Sequence, residues 1–359
     1  MKSAQIGILG CGKVSHMYLP VLGRSPAVEV AAVADVDAGV ARDVAAQYQI
    51  SRATSPDELL ADPAIQLVVN LTPIAVHVGL TRAALAAGKH VYTEKPLATT
   101  VDDARDLVAE ADRRGLALAG APDTLLGSGF QVARAALADG AIGRPLSASA
   151  VMFRGAMSAP SFYTNGATPF FDMAPYYVSA LVSIFGPVTR VSGVTRTWPG
   201  NTKPADTESG ASIAISGVLE FAGGATATIT LAWGIAYRSE IPVLDVYGTD
   251  GVLEFPNPNN FGDAAYVRKY GDPAHSELPG SRRPATVPHN LRGLGVAELA
   301  LALDEGRKPR AGADLACHVV DVIAGLVASG ESGARVDLST TCQPPEPLPA
   351  AVREQLLGV

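Results

Sequence analysis

Hydrophobic and polar positions in the first third of the chain switch repeatedly between two patterns. Short segments at residues 5–10, 28–35, 65–71, 89–94 and 116–120 have the length of strands, and residues 65–71, unbroken by alternation, read as a strand buried on both faces. Between them, a 3.6-residue spacing predicts helices over residues 13–22, 38–48, 76–87 and 101–114. Ser55-Pro56-Asp57-Glu58 marks a further helix start, with a capping serine followed by proline in the first turn. Strands that alternate with helices call for a doubly wound parallel sheet of the α/β class.

Beyond about residue 122 the rhythm changes. Long strands at residues 188–198, 211–221, 225–233 and 243–248 follow one another without helices between them, and Gly223-Gly224 joins two of them as a hairpin. Helices are expected at residues 172–185, 291–305 and 314–329, so this part reads as an α+β domain on an open, mostly antiparallel sheet. Residues 256–290, rich in proline, glycine and asparagine, form the longest irregular stretch. A chain of 359 residues exceeds the usual size of one core, and the change of rhythm divides it into residues 1–122 and 123–359.

Composition narrows the partners. Hydrophobic residues make up 48% and charged residues 18%, a globular balance. The formal charge is −7 and no basic stripe is longer than Arg282-Arg283, which argues against nucleic acid. No apolar run reads as a membrane span, and Met1 to Gln5 lead into a strand without a signal-peptide pattern, so a cytoplasmic location is expected. Cys11, Cys317 and Cys342 are few and widely spaced, as in a reducing compartment, and Cys11 reads as loop packing. The six histidines show no metal-ligand spacing and no serine hydrolase motif is present. The partner left by these exclusions is a small molecule.

Gly10-Cys11-Gly12-Lys13-Val14-Ser15 joins the first strand to the first helix. Gly10 permits a tight turn there, and Gly12 lets the backbone approach a pyrophosphate at the positive end of the helix. Asp35 ends the second strand where an acid can bind ribose hydroxyls, with Asp37 close enough to share or compete for that role. Asp35 would repel a 2′-phosphate and no arginine follows it directly, so NAD is preferred over NADP. Lys95 lies at the carboxyl end of a strand closed by Pro96, within reach of whatever the glycine loop holds; the plainer alternative is a lysine paired with Glu94. Asp172 and Tyr176 stand four apart at a helix start and share a face, which suits a proton relay with a lysine. Alternatively Tyr176 and Tyr177 only pack.

With these residues assembled, the chain resembles the glucose–fructose oxidoreductase, inositol dehydrogenase and MocA-like (Gfo/Idh/MocA) family over nearly its whole length. The likeness rests on Gly10-Cys11-Gly12, Asn70-Leu71-Thr72-Pro73 with His77, Ala87-Gly88-Lys89-His90-Val91, Glu94-Lys95-Pro96, Gly140-Ala141-Ile142-Gly143 and Phe171-Asp172-Met173. It implies a Rossmann domain followed by an open-sheet domain, oxidation or reduction of a sugar, glycoside or cyclic polyol, and a homodimer or homotetramer formed through that sheet. It also implies Lys95 in the active site, with Gly10, Gly12, Lys13, Val14, Asp35, Thr72, Pro73, His77 and Glu94 around the cofactor. The family's Gly-Gly-Gly, Asp, His signature stands here as Gly166-Ala167-Thr168, Asp172 and Tyr176, so Tyr176 takes the place of the usual histidine. Arg154, Tyr163, Asn165 and Tyr177 are candidates for the substrate wall, and His289 is a weaker one. Two other functions remain open: a non-catalytic NAD-binding regulator, and an enzyme using tightly held NAD for transient redox in glycoside cleavage.

Overall fold

The computed structural model describes residues 3–154, 169–198, 212–234, 243–283 and 287–359. The chain forms two compact units. The first comprises Met1–Leu126, Val287–Cys317 and Pro345–Val359; the second comprises Gly127–Thr286 and His318–Pro344.

In the first unit, β1 (Ala4–Leu9), β2 (Val28–Ala34), β3 (Ala53–Thr54), β4 (Leu67–Asn70), β5 (His90–Thr93) and β6 (Leu118–Gly120) form a six-stranded sheet in the order β3-β2-β1-β4-β5-β6. Every pairing is parallel. The connecting helices are α1 (Ser15–Leu22), α2 (Ala38–Gln47), α3 (Pro56–Ala61), α4 (His77–Ala86) and α5 (Val101–Arg114). Helices cover both faces of such a sheet, so its central strands read as apolar throughout, and all four residues of β4 are buried. Register then fixes the site. Leu9 pairs with Ala34 on one side and with Asn70 on the other, Asn70 pairs with Thr93, and Thr93 with Gly120. The chain therefore leaves β1, β2, β4 and β5 along one line, at the switch point where the strand order reverses.

The helix starts follow from local chemistry. Ser55 and Glu58 form the capping box that the sequence shows, and Thr100 caps α5, whose other end turns through Gly115 at φ 64°.

The division at residue 122 falls close to the unit boundary at Leu126, but two carboxyl-terminal segments belong with the first unit rather than the second. Helix α8 (Leu294–Asp304) shows why. Apart from Glu298, which pairs with Arg307 and Arg310, residues Leu294 to Ala302 are apolar and all are buried, so the helix needs cover on every side. Asp123 holds its start, its Oδ2 accepting the Gly293 and Gly295 N–H groups at 3.1 and 2.9 Å. Helix α10 (Ala350–Leu357) packs on α8 within the same unit. Contacts between residues 170 positions apart leave no local pattern to read.

Burial pushes the Asp123 carboxyl up to about 6, against the backbone donors that lower it. A carboxyl whose pKa is raised in the folded state contributes stability below its unfolded pKa and loses it as the pH rises through about 6. Asp123→Asn keeps an acceptor for both N–H groups and removes the titration. Melting of this variant should change less than that of the parent across this interval. Asp123→Ala strands two buried donors and should cost about 2–3 kcal/mol at any pH. Chemical denaturation on either side of pH 6 measures both.

The second unit is built on a nine-stranded sheet. Its strands are β7 (Pro145–Arg154), β8 (Val188–Trp198), β9 (Ser212–Phe221), β10 (Thr226–Trp233), β11 (Leu244–Gly248), β12 (Gly251–Glu254), β13 (Tyr266–Lys269), β14 (Ser276–Glu277) and β15 (Val336–Asp337), ordered β14-β13-β12-β11-β7-β10-β9-β8-β15. All neighbours are antiparallel except β7 and β10. The glycine hairpin is present, with Gly224 at φ 85° between β9 and β10. Part of the stretch expected to be irregular extends the sheet instead, because β13 and β14 lie within it. These strands are short and largely exposed, so they lack the apolar alternation that marks an inner strand.

Helices α6 (Ser128–Ala138) and α7 (Pro169–Phe185) belong to this unit, as does α9 (Ala313–Ser332) from His318 onward. By length and composition α9 is apolar enough to cross a membrane, a property the apolar-run reading missed. Most of it is nevertheless buried inside the protein, as in a core helix.

Candidate active site

The glycine loop leaves β1 through Gly10 at φ 94°, a conformation L-residues avoid. A Cβ at this position would stand 2.9 Å from the Leu71 and Thr72 backbone, so glycine also lets the ends of β1 and β4 pass each other. At Gly12 a Cβ would meet nothing within 4 Å. The start of α1 beside it carries no side-chain cap, so a loop of bare backbone faces open space at a helix amino terminus. Lys13 is exposed and Val14 half-buried in this loop. The arrangement fits a dinucleotide pyrophosphate.

Asp35 sits one residue beyond β2, and its two carboxylate oxygens accept the Cys11 N–H at 2.8 Å and the Asp37 N–H at 3.0 Å. The acid is thereby held against the glycine loop, where its remaining lone pairs suit ribose hydroxyls. Asp37 caps α2, its Oδ1 accepting the Gly39 and Val40 N–H groups. Cys11 is packed as expected. Its thiol is buried against the Ala34 carbonyl, and burial together with Asp35 pushes its pKa up to about 12. Iodoacetamide at mildly alkaline pH should leave Cys11 unmodified in the folded protein and label it after unfolding, as read by peptide mass.

At the end of β4, Asn70 organises the next turn. Its Oδ1 accepts the Thr72 N–H and hydroxyl at 3.3 and 2.6 Å, while its Nδ2 donates to the His77 carbonyl and the Thr81 hydroxyl. Pro73 follows, exposed. His77 is not at the surface of the site. It is buried at the start of α4, with Nδ1 2.9 Å from the Pro96 carbonyl and Nε2 2.8 Å from the Thr72 carbonyl. Both of its ring nitrogens thus contact the backbone of the site.

Beyond β5, Glu94 is buried and receives the Tyr18 hydroxyl from α1 at 2.7 Å and the Lys95 N–H at 2.9 Å. Its carboxylate therefore secures the main chain of the lysine. The Lys95–Pro96 peptide is cis, and Lys95 is half-buried. Register and these bonds bring Gly10, Gly12, Asp35, Thr72 and Lys95 to one edge of the sheet. Tyr18 and Asp123 were not singled out from sequence, and Asn70 entered only as part of the Asn70-Leu71-Thr72-Pro73 motif. Only Asn70 left a local signal, as the first residue of an Asn-x-Thr-Pro turn at a strand end.

In the second unit, α7 carries Asp172, Tyr176 and Tyr177, all buried. The four-residue spacing puts Asp172 and Tyr176 on one face of the helix. Arg154, the last residue of β7, donates from Nη1 to the Met173 sulfur at 3.4 Å, which lays it beside this helix. Trp233, its partner in register on β10, stacks edge-on against Phe170 with centroids 5.7 Å apart, and its buried Nε1 has no hydrogen-bond acceptor among the described residues. That open donor was not foreseen. Tyr163, Asn165 and Gly166-Ala167-Thr168 lie outside the described residues. His289 is exposed. Among the described residues, no group of three or more histidine, cysteine, aspartate or glutamate side chains is arranged to hold a metal ion.

A parallel sheet with a glycine loop, an acid held against that loop and a lysine at its carboxyl edge is the frame of a dinucleotide-dependent oxidoreductase. The chain belongs to the Gfo/Idh/MocA family. Residues 4–120 match its oxidoreductase domain with an NAD-binding Rossmann fold, and residues 130–254 match its carboxyl-terminal domain.

Among curated relatives, the chain is 28% identical over 145 residues to the uncharacterized oxidoreductase YrbE of Bacillus subtilis, a match spanning 40% of the chain and only 42% of that protein. It is 28% identical over 326 residues to the dTDP-3,4-didehydro-2,6-dideoxy-alpha-D-glucose 3-reductase of Saccharopolyspora spinosa, covering 85% of the chain and 93% of the relative. Levoglucosan dehydrogenase in complex with NADH and L-sorbose shares the fold, with a TM-score of 0.82 at 20% identity over 95% of this chain and all of that one.

Proposed function

We propose that the protein transfers a hydride between C4 of the nicotinamide of NAD and a carbinol carbon of a sugar, glycoside or cyclic polyol, with Lys95 and Tyr176 handling the hydroxyl proton. The observation that carries this reading is the position of Lys95, fixed through its own N–H by Glu94 at the edge where the glycine loop and Asp35 emerge. Gly10 to Val14 would hold the pyrophosphate, Asp35 the ribose, and Thr72 and Pro73 the border of the ring. The nicotinamide supplies or accepts the hydride. The chain's own groups orient the carbinol and move its proton, where small misplacements are costly. Asp172 positions the hydroxyl or the lysine. Arg154 and Tyr177 belong to the substrate wall, and the open Trp233 N–H offers a donor to a sugar oxygen. Asp35 makes NADP the poorer cofactor, because its charge opposes a 2′-phosphate.

The dTDP-sugar reductase and levoglucosan dehydrogenase likenesses support a carbohydrate substrate. The outward face of the open sheet supports assembly of a homodimer or homotetramer. Across β8, β9, β10 and β7 its central rows carry Val194, Ser216, Thr230 and Val151, then Ser192, Val218, Thr228 and Ser149, and the second row reaches charge only at Asp245 on β11. The three cysteines are buried thiols, which suits a cytoplasmic setting.

The test is nicotinamide absorbance with a panel of sugars, glycosides and polyols, accompanied by product analysis. Growth of absorbance with one class of carbinol supports the reading. A silent trace with altered product turns it toward transient redox on held NAD, and a silent trace with no product on any substrate overturns it in favour of a regulator.

A further inference from the structure

His77 is buried, carries two ring nitrogens, and has each of them against a carbonyl oxygen of a different strand end. Thr72, 2.8 Å from Nε2, belongs to the turn after β4 that Asn70 shapes. Pro96, 2.9 Å from Nδ1, directly follows Lys95. The lysine's main chain is thus held from both flanks, by the Glu94 carboxylate on its N–H and by the imidazole on the next residue's carbonyl. Asn70 anchors the start of α4 in turn by donating to the His77 carbonyl. Ring, turn and lysine loop form one hydrogen-bonded unit.

We propose that His77 is a positioning residue for Lys95, tying the Thr72 turn to the Lys95–Pro96 turn so that the ammonium is held where the bound nicotinamide and the carbinol meet. This rests on the proposed hydride transfer for its consequence in catalysis, but not for the tie itself. A packing role alone would ask only for a side chain of the right volume. Two opposed nitrogens on two carbonyls ask for imidazole, because glutamine and asparagine carry their donors on a single atom and cannot span both. A neutral ring donates to one carbonyl and a protonated ring to both. Burial, the strongest influence, lowers the ring's pKa; the two carbonyls and Glu94 act the other way, and Lys95 adds to the lowering. Those two charged groups both stand on the loop after β5, while Asn70 and Thr72 from the end of β4 are uncharged.

The experiment uses the full chain and its His77→Gln and His77→Asn variants, with two readouts. The first, independent of turnover, is the titration of Lys95 followed by carbon NMR of an ε-labelled lysine, assigned with Lys95→Arg. A shifted ammonium position should move its midpoint by at least about half a pH unit in a folded variant. The second is steady-state kinetics with NADH affinity measured separately. The expected result is a fall in kcat of about tenfold to a hundredfold, with NADH affinity within about threefold of the parent and the Lys95 limb of the pH profile displaced. Folded variants with parental kcat and an unmoved Lys95 titration overturn the proposal. So does failure of both variants to fold, which assigns His77 to structure. A moved titration in a protein that reduces nothing on the panel keeps the tie and overturns the hydride-transfer reading alone.

Discussion

Lys95→Ala is expected to abolish turnover and to leave NADH binding intact. The reason for the split is that the groups proposed to hold the nucleotide leave other strands: Gly10 and Gly12 follow β1, Asp35 follows β2, and Thr72 follows β4. The bonds that shape the lysine loop use its backbone, Glu94 Oε2 on the residue 95 N–H and His77 on the Pro96 carbonyl, and both survive truncation of the side chain. Alanine therefore removes an ammonium without moving its neighbours. A positioned proton-transfer group is worth about a hundredfold to ten-thousandfold in rate, and Lys95→Ala should lose kcat in that range or fall below detection. NADH fluorescence titration should return a dissociation constant within about threefold of the parent, since no phosphate or ribose partner is lost. Parental kcat in this variant removes Lys95 from the chemistry. Loss of NADH binding with a parental melting temperature would instead make it a nucleotide ligand.

What could be read from residues alone divides along a physical line. The glycine loop, Asp35 and the Glu94-Lys95-Pro96 segment were legible because each residue type answers to backbone geometry at that point: a positive φ at Gly10, a strand end before Pro96, an acid at the tip of β2. The bounds of α5 and β8 matched the expected residues 101–114 and 188–198 because capping and alternation are local. What stayed hidden is what holds these residues in place. Tyr18 reaches Glu94 across 76 positions and Asp123 reaches Gly293 across 170, and no periodicity carries such information. His77 reaches the Pro96 carbonyl across 19 positions, a contact that the Thr72-Pro73 motif before it does not announce. Asp37 was ambiguous beside Asp35 until its cap on α2 was seen, although an acid two residues before a glycine at a helix start is itself a capping signal. Asp172 and Tyr176 share a helix, but their action together with Lys95 rests on the proposed chemistry.

Gly10→Ala and Gly12→Ala, two residues apart in one loop, should fail in different ways. At Gly10 the backbone φ of 94° costs an L-residue about 1–2 kcal/mol. The added Cβ would also stand 2.9 Å from the Leu71 carbonyl and the Thr72 nitrogen, which are backbone atoms of a buried strand end and have no rotamer to yield. Relief requires β1 and β4 to part, which carries Thr72 and the Asn70 bonds with it. The combined cost should be about 3–5 kcal/mol, with NADH binding lost because the site is distorted. At Gly12 nothing lies within 4 Å of the added carbon and φ is ordinary, so the fold should melt at the parental temperature. The same carbon would occupy the open space in front of the bare start of α1, where a pyrophosphate needs the backbone itself as donor. NADH affinity should fall at least about tenfold with no loss of stability. Thermal melts and NADH titration of the two variants side by side separate the turn that builds the loop from the opening that serves the cofactor. If Gly12→Ala binds NADH as the parent does, this loop is not the phosphate cradle, and the dinucleotide site must be drawn elsewhere on the sheet edge.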